Sequence, residues 1–426
     1  MGRLLLILLA RTTVAVAAGW DTSFWVWNHP QPLSSSDRSE LTSCGQPTLY
    51  WQAAEVTRRS GWQDRRPPTT PGDSSIPVIR FEPALEMLDH PRGIAALPSF
   101  WETAPPCIQI DFDCPASRLA DYAAALRRLR QQLGTTRLSI TALASWIESP
   151  DFRELAEAVD ELVPMFYDLH PDPPAAVRAG RFEPMVSQKT LRWIRRWKSC
   201  PRPWRAGLPN FQRLTLFHPD GTLSGHLPSF QPAWLDSHPG LRLADPTPAR
   251  YEITSSTSLA RRALIPGEIL LWRQPDESLA RQAAETARRA GAAGVLWFAH
   301  PASAPTPWRS VSHLVHLAES PRPKLELTLL PQGRIRLSNG GKGDLPLRTG
   351  AQPWTLTLTS QPGDFAELQT GDFSSLGESD ASLLHPEFSA TISLRFHQLP
   401  ASQSLTTGEG FFTANTPPSW NLAPAP

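Results

Sequence analysis

The sequence predicts a (β/α)8 TIM-type barrel that is followed by a small antiparallel β-sandwich. From Trp20 to about Pro301, short apolar runs alternate with segments whose apolar residues recur at helical spacing. This alternation is typical of parallel strands joined by helices. Roughly eight repeats of the unit favour a closed barrel, with an open doubly wound sheet as the alternative. After Pro301 the apolar residues recur at every second position and turn residues separate the runs, as in antiparallel strands.

The barrel region contains nine candidate strands and three well-marked helices. The first helix begins at Ser117, whose hydroxyl is a suitable cap, and ends at Gly134. The second begins at Ser149 with a proline directly after it. The third covers residues 277–290 and is ended by Gly291. The candidate strands are residues 24–27, 48–51, 77–81, 107–113, 138–144, 162–167, 204–208, 268–272 and 294–298.

These patterns divide the chain into four parts. Residues 1–18 read as a signal peptide, because Arg3 precedes a short apolar run and Ala15-Val16-Ala17 forms a small-x-small cleavage site. We therefore expect an exported protein, periplasmic or secreted. The barrel covers residues 19–318, and residues 319–415 form the sandwich, with candidate strands at 324–330, 334–338, 354–359 and 390–396. Residues 416–426 are Pro-rich and predict a disordered tail.

Composition excludes several classes of partner. Hydrophobic residues make up 40% of the 426 residues, so a core can form, and the formal net charge is +1. This balance of charge provides no general electrostatic field that would attract nucleic acid. No apolar stretch is long enough to span a membrane. The 16 Trp residues suit both sugar binding and core packing. No cofactor motif is present.

The four cysteines do not have the spacing of a zinc site. Cys107 and Cys114 flank one predicted strand and lie too far apart to bridge each other. The sequence leaves open a bridge between Cys44 and Cys200 in an oxidising compartment. No histidine pair accompanies the acidic residues, so no metal site is expected.

The segment with most chemical information covers residues 107–115. As a strand it alternates two faces, with Ile108 and Ile110 on one and Gln109, Asp111 and Asp113 on the other. Burying a carboxylate without a partner costs on the order of several kcal/mol. The acids are therefore expected at the open C-terminal mouth, where catalysis occurs in barrels of this kind. Solvated acids, or acids paired with internal arginines, are the structural alternative.

This segment resembles the fourth-strand signature of family 18 glycoside hydrolases, the chitinases and their relatives. On that pattern Gln109 stands at the first acid, Asp111 at the second and Asp113 at the catalytic glutamate. Residues 138–143 resemble the fifth strand of that family, and Met165-Phe166-Tyr167-Asp168 matches its sixth-strand motif. At the eighth strand Phe298 stands where that family has tryptophan.

A closer resemblance is to an uncharacterised bacterial family, domain of unknown function 3142. It is carried by Ile79-Arg-Phe-Glu82, by residues 108–122, by residues 138–143 and by Gly294-Val-Leu-Trp-Phe298. That family brings a name and no established reaction, so the chitinase-like likeness remains an analogy of fold.

The chitinase-like resemblance implies a proton donor and a substrate-orienting group. Asp113 is the implied general acid, and the like-charged neighbour Asp111 raises its pKa. Tyr167 and Asp168 orient the substrate. Two departures stand against this: Asp for Glu withdraws the acid by about 1 Å, which costs roughly 100-fold in rate, and Gln109 cannot share a proton.

Five further residues are predicted to bind substrate. Arg80 and Glu82 share one face of the third strand and form either an internal ion pair or a clamp for sugar hydroxyls. Gln109 adds a polar contact beside the acids. Trp146 and Trp297, like Trp27 and Trp272, lie at or near strand ends and act either as sugar platforms or as core residues.

We therefore expect an exported carbohydrate-active barrel that hydrolyses a cell-wall or extracellular glycan. Its partner is a glycan or polysaccharide, and it needs no cofactor. The alternative is a non-catalytic glycan-binding protein on a degenerate glycosidase barrel.

Overall fold

Eight parallel strands close into a barrel in the computed structural model, which confirms the predicted fold. The structure describes residues 20–65, 75–88, 106–227, 230, 235, 238–246, 248–303, 306–348, 353–376 and 391–424. Each barrel strand pairs in parallel with its neighbours, and the first pairs with both the second and the eighth. The strands are β1 (Asp21–Val26), β2 (Leu49–Thr57), β3 (Ile76–Phe81), β4 (Cys107–Asp111), β5 (Arg137–Leu143), β6 (Glu161–Met165), β7 (Arg205–Pro209) and β8 (Gly294–Phe298).

Helices cover the outside of the barrel. They are α1 (Ser35–Ser43), α2 (Leu119–Leu133), α3 (Phe152–Glu157), α4 (Pro174–Arg178), α5 (Gln188–Arg196), α6 (Glu277–Arg289) and α7 (Val311–Val315). A short strand, Gly61–Asp64, runs antiparallel to β2 outside the closed ring. The main core lies between the helices and the outward faces of the strands, where Ile108 and Ile110 are fully buried.

Two helix starts differ from those the sequence predicts. Ser117 lies in a single 3-10 turn, Ala116–Arg118, and α2 begins only at Leu119 without a side-chain cap. The helix expected from Ser149 begins at Phe152 and has six residues. The predicted ends hold, since Gly134 follows α2 with a φ of 59° and Gly291 follows α6 with a φ of 89°, a backbone conformation that glycine adopts without steric cost.

An antiparallel sheet is inserted between β7 and β8. Its five strands are, in spatial order, Leu223–Leu227, Arg213–Phe217, Ile269–Arg273, Ala249–Ile253 and Leu241–Pro246. The prediction that residues 268–272 form a barrel strand is therefore wrong. An apolar run identifies a strand but does not specify the direction of its partner, and here both neighbours are antiparallel. A hairpin of Thr257–Leu259 and Arg262–Leu264 accompanies this sheet.

The C-terminal region forms two small antiparallel sheets that share one core. One contains Leu325–Leu330, Arg334–Asn339 and Ser404–Thr406; the other contains Ser375–Leu376, Thr391–Phe396, Trp354–Thr359 and Ser419–Pro424. Leu337 of the first and Leu356 of the second are both fully buried in that core. The predicted disordered tail is wrong over Ser419–Pro424, which pairs along its whole length with Trp354–Thr359.

Two further predictions from the sequence are a signal peptide and an open pairing of two cysteines. The predicted signal peptide lies outside the described residues. All four cysteines are free thiols, so Cys44 and Cys200 do not form the bridge that the sequence left open. In the described part of the chain, no helix combines the length and apolar character that crossing a membrane requires.

Candidate functional site

Two aspartates mark the C-terminal mouth of the barrel. Asp111 is the last residue of β4, and Asp113 follows two positions later. Both line a cleft of about 680 Å³ at this end of the barrel. The side chain of Asp111 is only 7% exposed, whereas that of Asp113 is 34% exposed. The outer carboxylate is thus the one available to a ligand.

A single arginine binds both carboxylates. Arg80 on β3 stands in register with Asp111, and its two terminal nitrogens donate to Asp111 Oδ2 and Asp113 Oδ2, each at 2.8 Å. The Thr141 hydroxyl donates to Asp111 Oδ1 at 2.8 Å. Burial raises the pKa of Asp111, and the Arg80 charge opposes this rise. Both oxygens of Asp111 are therefore occupied, whereas Asp113 Oδ1 has no hydrogen-bond partner among the described residues.

Gln109 lies below the cleft, not in it. Its side chain is fully buried in the barrel interior. The Trp25 indole donates to Gln109 Oε1 at 2.7 Å, and Gln109 Nε2 donates to Ser139 Oγ at 3.1 Å. Ser139 in turn donates to Glu161 at 3.1 Å. Since the amide is used in this network, the structure does not support Gln109 as a substrate-binding residue.

Tyr167 and Asp168 follow β6 and also line the cleft. The Tyr167 ring stacks on Phe298, with centroids 5.7 Å apart, and burial raises the pKa of Tyr167 above its ordinary value. Its hydroxyl therefore stays protonated and able to donate at neutral pH. Asp168, with a φ of 54°, accepts from Arg213 Nη2 at 2.7 Å, so its carboxylate is bound to the inserted sheet.

Three predicted substrate-binding residues lie away from the cleft lining. Glu82 accepts the Arg58 backbone N–H at 2.7 Å. Trp146 is fully buried, and its indole donates to the Cys114 carbonyl at 3.1 Å. Trp297 packs in the main core, on the face of β8 opposite to the cleft-lining Phe298. The burial of both tryptophans selects the core-packing alternative over the sugar platform.

Sequence reasoning missed much of the aromatic and basic wall. Trp27 after β1 and Trp193 on α5 both line the cleft, as do several residues of the inserted region, namely Phe211, Gln212, Arg213, His226, Leu227 and Phe230. Trp27 was not missed, because its position at a strand end predicts either a sugar platform or a core residue. The inserted residues carried no such signal, because their approach to the mouth depends on how the extra sheet folds back.

One family model matches the part of the chain that contains the barrel strands β3 to β7. Residues 72–224 match the family model "Domain of unknown function (DUF3142)". That match confirms the resemblance found in the sequence, over β3 to β7. No curated protein matches the chain in sequence.

Solved structures of glycoside hydrolases are similar to the chain at low identity. The spore cortex-lytic enzyme SleL of Bacillus cereus is 14% identical with a TM-score of 0.44, over 67% of this chain and 72% of that one. Chitinase ChiA74 of Bacillus thuringiensis is 9% identical with a TM-score of 0.45, over 96% and 100%. A family 18 N-acetylglucosaminidase of Paenibacillus barengoltzii is 14% identical with a TM-score of 0.41, over 71% and 99%.

Proposed function

We propose that this chain is an exported carbohydrate-active protein that binds a glycan in the mouth of its barrel and hydrolyses it. The observation that carries the proposal is a pair of carboxylates at the centre of a cleft with aromatic walls, among them Trp27, Trp193 and Tyr167. Aromatic rings pack on the apolar faces of sugar rings, and polar groups at the C-terminal end of barrel strands bind and transform ligands. A cleft of about 680 Å³ accommodates several sugar units.

In this proposal Asp113 is the proton donor. It is the more exposed carboxyl group, and its Oδ1 is available to the glycosidic oxygen of a bound sugar. Asp111 is buried beside it and is bound by Arg80 and Thr141. Its charge stabilises the position of the Arg80 guanidinium between the two carboxyl groups. The protonated hydroxyl of Tyr167 donates a hydrogen bond that orients the substrate. Proton donation by a positioned acid supplies about 10²- to 10⁴-fold in rate.

One observation favours the second candidate, a glycan-binding protein without catalysis. Arg80 donates to both aspartates at 2.8 Å, and a hydrogen bond from a cation stabilises the ionised form of a carboxyl group. An ionised Asp113 has no proton to give. Gln109, which is buried in the interior network, provides no second acid to share one.

Asp113→Asn separates the two candidates, because it keeps the shape and removes the transferable proton. The measurement pairs a glycan array with the release of reducing ends from every glycan that binds. For an enzyme, we expect turnover to fall by about 10²- to 10⁴-fold while binding changes little. The control is Asp121→Asn, since Asp121 pairs with Arg118 on the outer surface. If the wild type binds glycans and releases no reducing ends from any of them, the binding protein is the correct assignment.

We also propose export and a division at about residue 318. The expectation of a signal peptide at residues 1–18 supports export, and the change from the barrel to two small antiparallel sheets supports the division. Sequencing the amino terminus of the protein recovered from the medium or periplasm tests the first. Expression of residues 19–318 alone, followed by thermal unfolding, tests the second.

A further inference from the structure

The helix α5 on the outside of the barrel carries four basic residues and no acidic residue. Between Glu183 and Asp220 the chain has eight Lys and Arg residues and no Asp or Glu. Four of the eight, Lys189, Arg192, Arg195 and Arg196, lie on α5, and we call them the basic face. The whole chain has 41 basic and 40 acidic residues, so this segment departs strongly from the average.

Two arginines of the basic face have no carboxylate partner among the described residues. Arg192 and Arg195 are exposed. Lys189 pairs with Glu183, and Arg196 pairs with Glu148. The arginines within the cleft are different, because each already binds an aspartate: Arg80 binds Asp111 and Asp113, and Arg213 binds Asp168. The unpaired positive charge therefore lies beside the cleft and not inside it.

Trp193 connects the basic face to the cleft. Its ring lines the cleft, and the Arg196 guanidinium lies 4.8 Å from the ring centroid. Residues three and four apart on a helix are neighbours, so Lys189 and Arg196 lie on the side of α5 on which Trp193 stands, and Arg192 neighbours both of them. Arg195 lies on the other flank of the helix. A sugar chain that leaves the cleft over Trp193 passes these cations next.

We propose that the substrate is an anionic glycan, whose sugar rings occupy the cleft and whose negative groups bind the basic face of α5. The inference rests on the proposed function, since it assigns the substrate class of the same cleft. Carboxylate, phosphate and sulfate groups all supply the charge required, and arginine binds each of them through two parallel hydrogen bonds.

The test compares two polymers of one backbone, polygalacturonate and its fully methyl-esterified form, by calorimetry on the full chain. At low ionic strength we expect polygalacturonate to bind about tenfold more tightly, and the difference to vanish near roughly 0.5 M salt, where screening is nearly complete. The charge-reversal variant Arg192→Glu should lose about tenfold in affinity for polygalacturonate and nothing for the ester. The control Arg336→Glu makes the same change of charge on the C-terminal sheets and should change neither affinity.

The other possible outcomes of this experiment also decide whether the inference stands. Equal affinity for the two polymers, no binding of either, or equal losses in the test and control variants each overturn the inference. Binding to phosphatidylglycerol vesicles without binding to polygalacturonate overturns it as well, in favour of a membrane surface. Trp27→Ala separates this inference from the proposed function. If that variant leaves all binding intact while Arg192→Glu weakens it, the basic face binds glycan and the cleft does not.

Discussion

The Arg80 guanidinium donates to the Asp111 carboxylate at 2.8 Å across the register pair that joins β3 to β4. Its second terminal nitrogen holds Asp113 at the same distance. Arg80 is therefore the group that permits Asp111 to be buried in its ionised form.

Arg80→Met should destabilise the fold in a pH-dependent way. Without its cation, Asp111 is a buried carboxylate whose pKa rises further, and removing one partner of such a pair costs about 3 kcal/mol at pH 7. At pH 4 protonation of the carboxyl group relieves most of that loss. Urea unfolding at both pH values measures it. The control Arg58→Met removes an exposed pair with Glu86 and should cost less than about 1 kcal/mol; equal losses at both pH values would contradict the role assigned to Arg80.

Asp111→Asn should reduce the loss of stability with rising pH. Because burial raises the folded-state pKa of Asp111, the folded protein binds more protons than the unfolded chain between the two pKa values. Stability then falls as the pH rises through that window. The variant has no such proton, so its free energy of unfolding should fall less from pH 3 upwards than that of the wild type.

Asp160 provides the control of opposite sign. Burial opposes its ionisation, but hydrogen bonds from Arg130 and the Leu138 backbone N–H lower the pKa of Asp160 overall. Its contribution is therefore present above the unfolded pKa and lost as the pH falls through the folded pKa. Asp160→Asn should lower stability at pH 7 and converge with the wild type in acid. If stability changed with pH in the same direction in the two variants, burial would not be what sets the pKa of Asp111.

The barrel was predictable because its strands carry a two-residue alternation that is visible in the sequence. Ile108 and Ile110 face the helices, whereas Asp111 faces the cleft, as the alternation of β4 predicts. The joint binding of Asp111 and Asp113 by Arg80 was not predictable, because it depends on the register between β3 and β4. Local pattern does not specify that register.

The tryptophans also show how little a local sequence pattern says about the position of a side chain in the fold. Trp27, Trp146 and Trp297 all lie near strand ends, but only Trp27 lines the cleft. We expect Trp27→Ala and Trp193→Ala to weaken glycan binding by about 1 kcal/mol or more, which calorimetry measures. Trp146→Ala should instead cost about 3–5 kcal/mol of folding free energy. A large loss of stability from Trp27→Ala, with unchanged binding, would make Trp27 a core residue.

Deleting residues 419–426 tests whether the C terminus is structural. Ser419–Pro424 is an edge strand whose six residues pair with Trp354–Thr359, and Leu422 packs against the core of the C-terminal sheets. Without it, the middle strand loses a complete set of backbone hydrogen bonds. We expect the unfolding midpoint of these sheets to fall by about 5 °C or more, in differential scanning calorimetry. An unchanged midpoint would support the disordered tail that the sequence alone predicts.

Gln109→Glu is the sharpest test of whether the resemblance to family 18 extends below the cleft. The substitution keeps the size of the side chain and supplies the acid that the family pattern has at this position. In this structure, however, Gln109 Nε2 donates to Ser139, and Ser139 donates to Glu161. A carboxylate at position 109 removes the first donor and makes two buried acids compete for one hydroxyl.

We expect the Gln109→Glu variant to lose about 2–4 kcal/mol of unfolding free energy at pH 7. The loss should be smaller near pH 4, where the new acid is protonated. The measurement is urea unfolding, with Gln63→Glu on the exterior strand Gly61–Asp64 as the control for added charge. A Gln109→Glu variant that keeps its stability and gains hydrolysis would show that position 109 takes part in proton sharing, and that the buried network adapts to it.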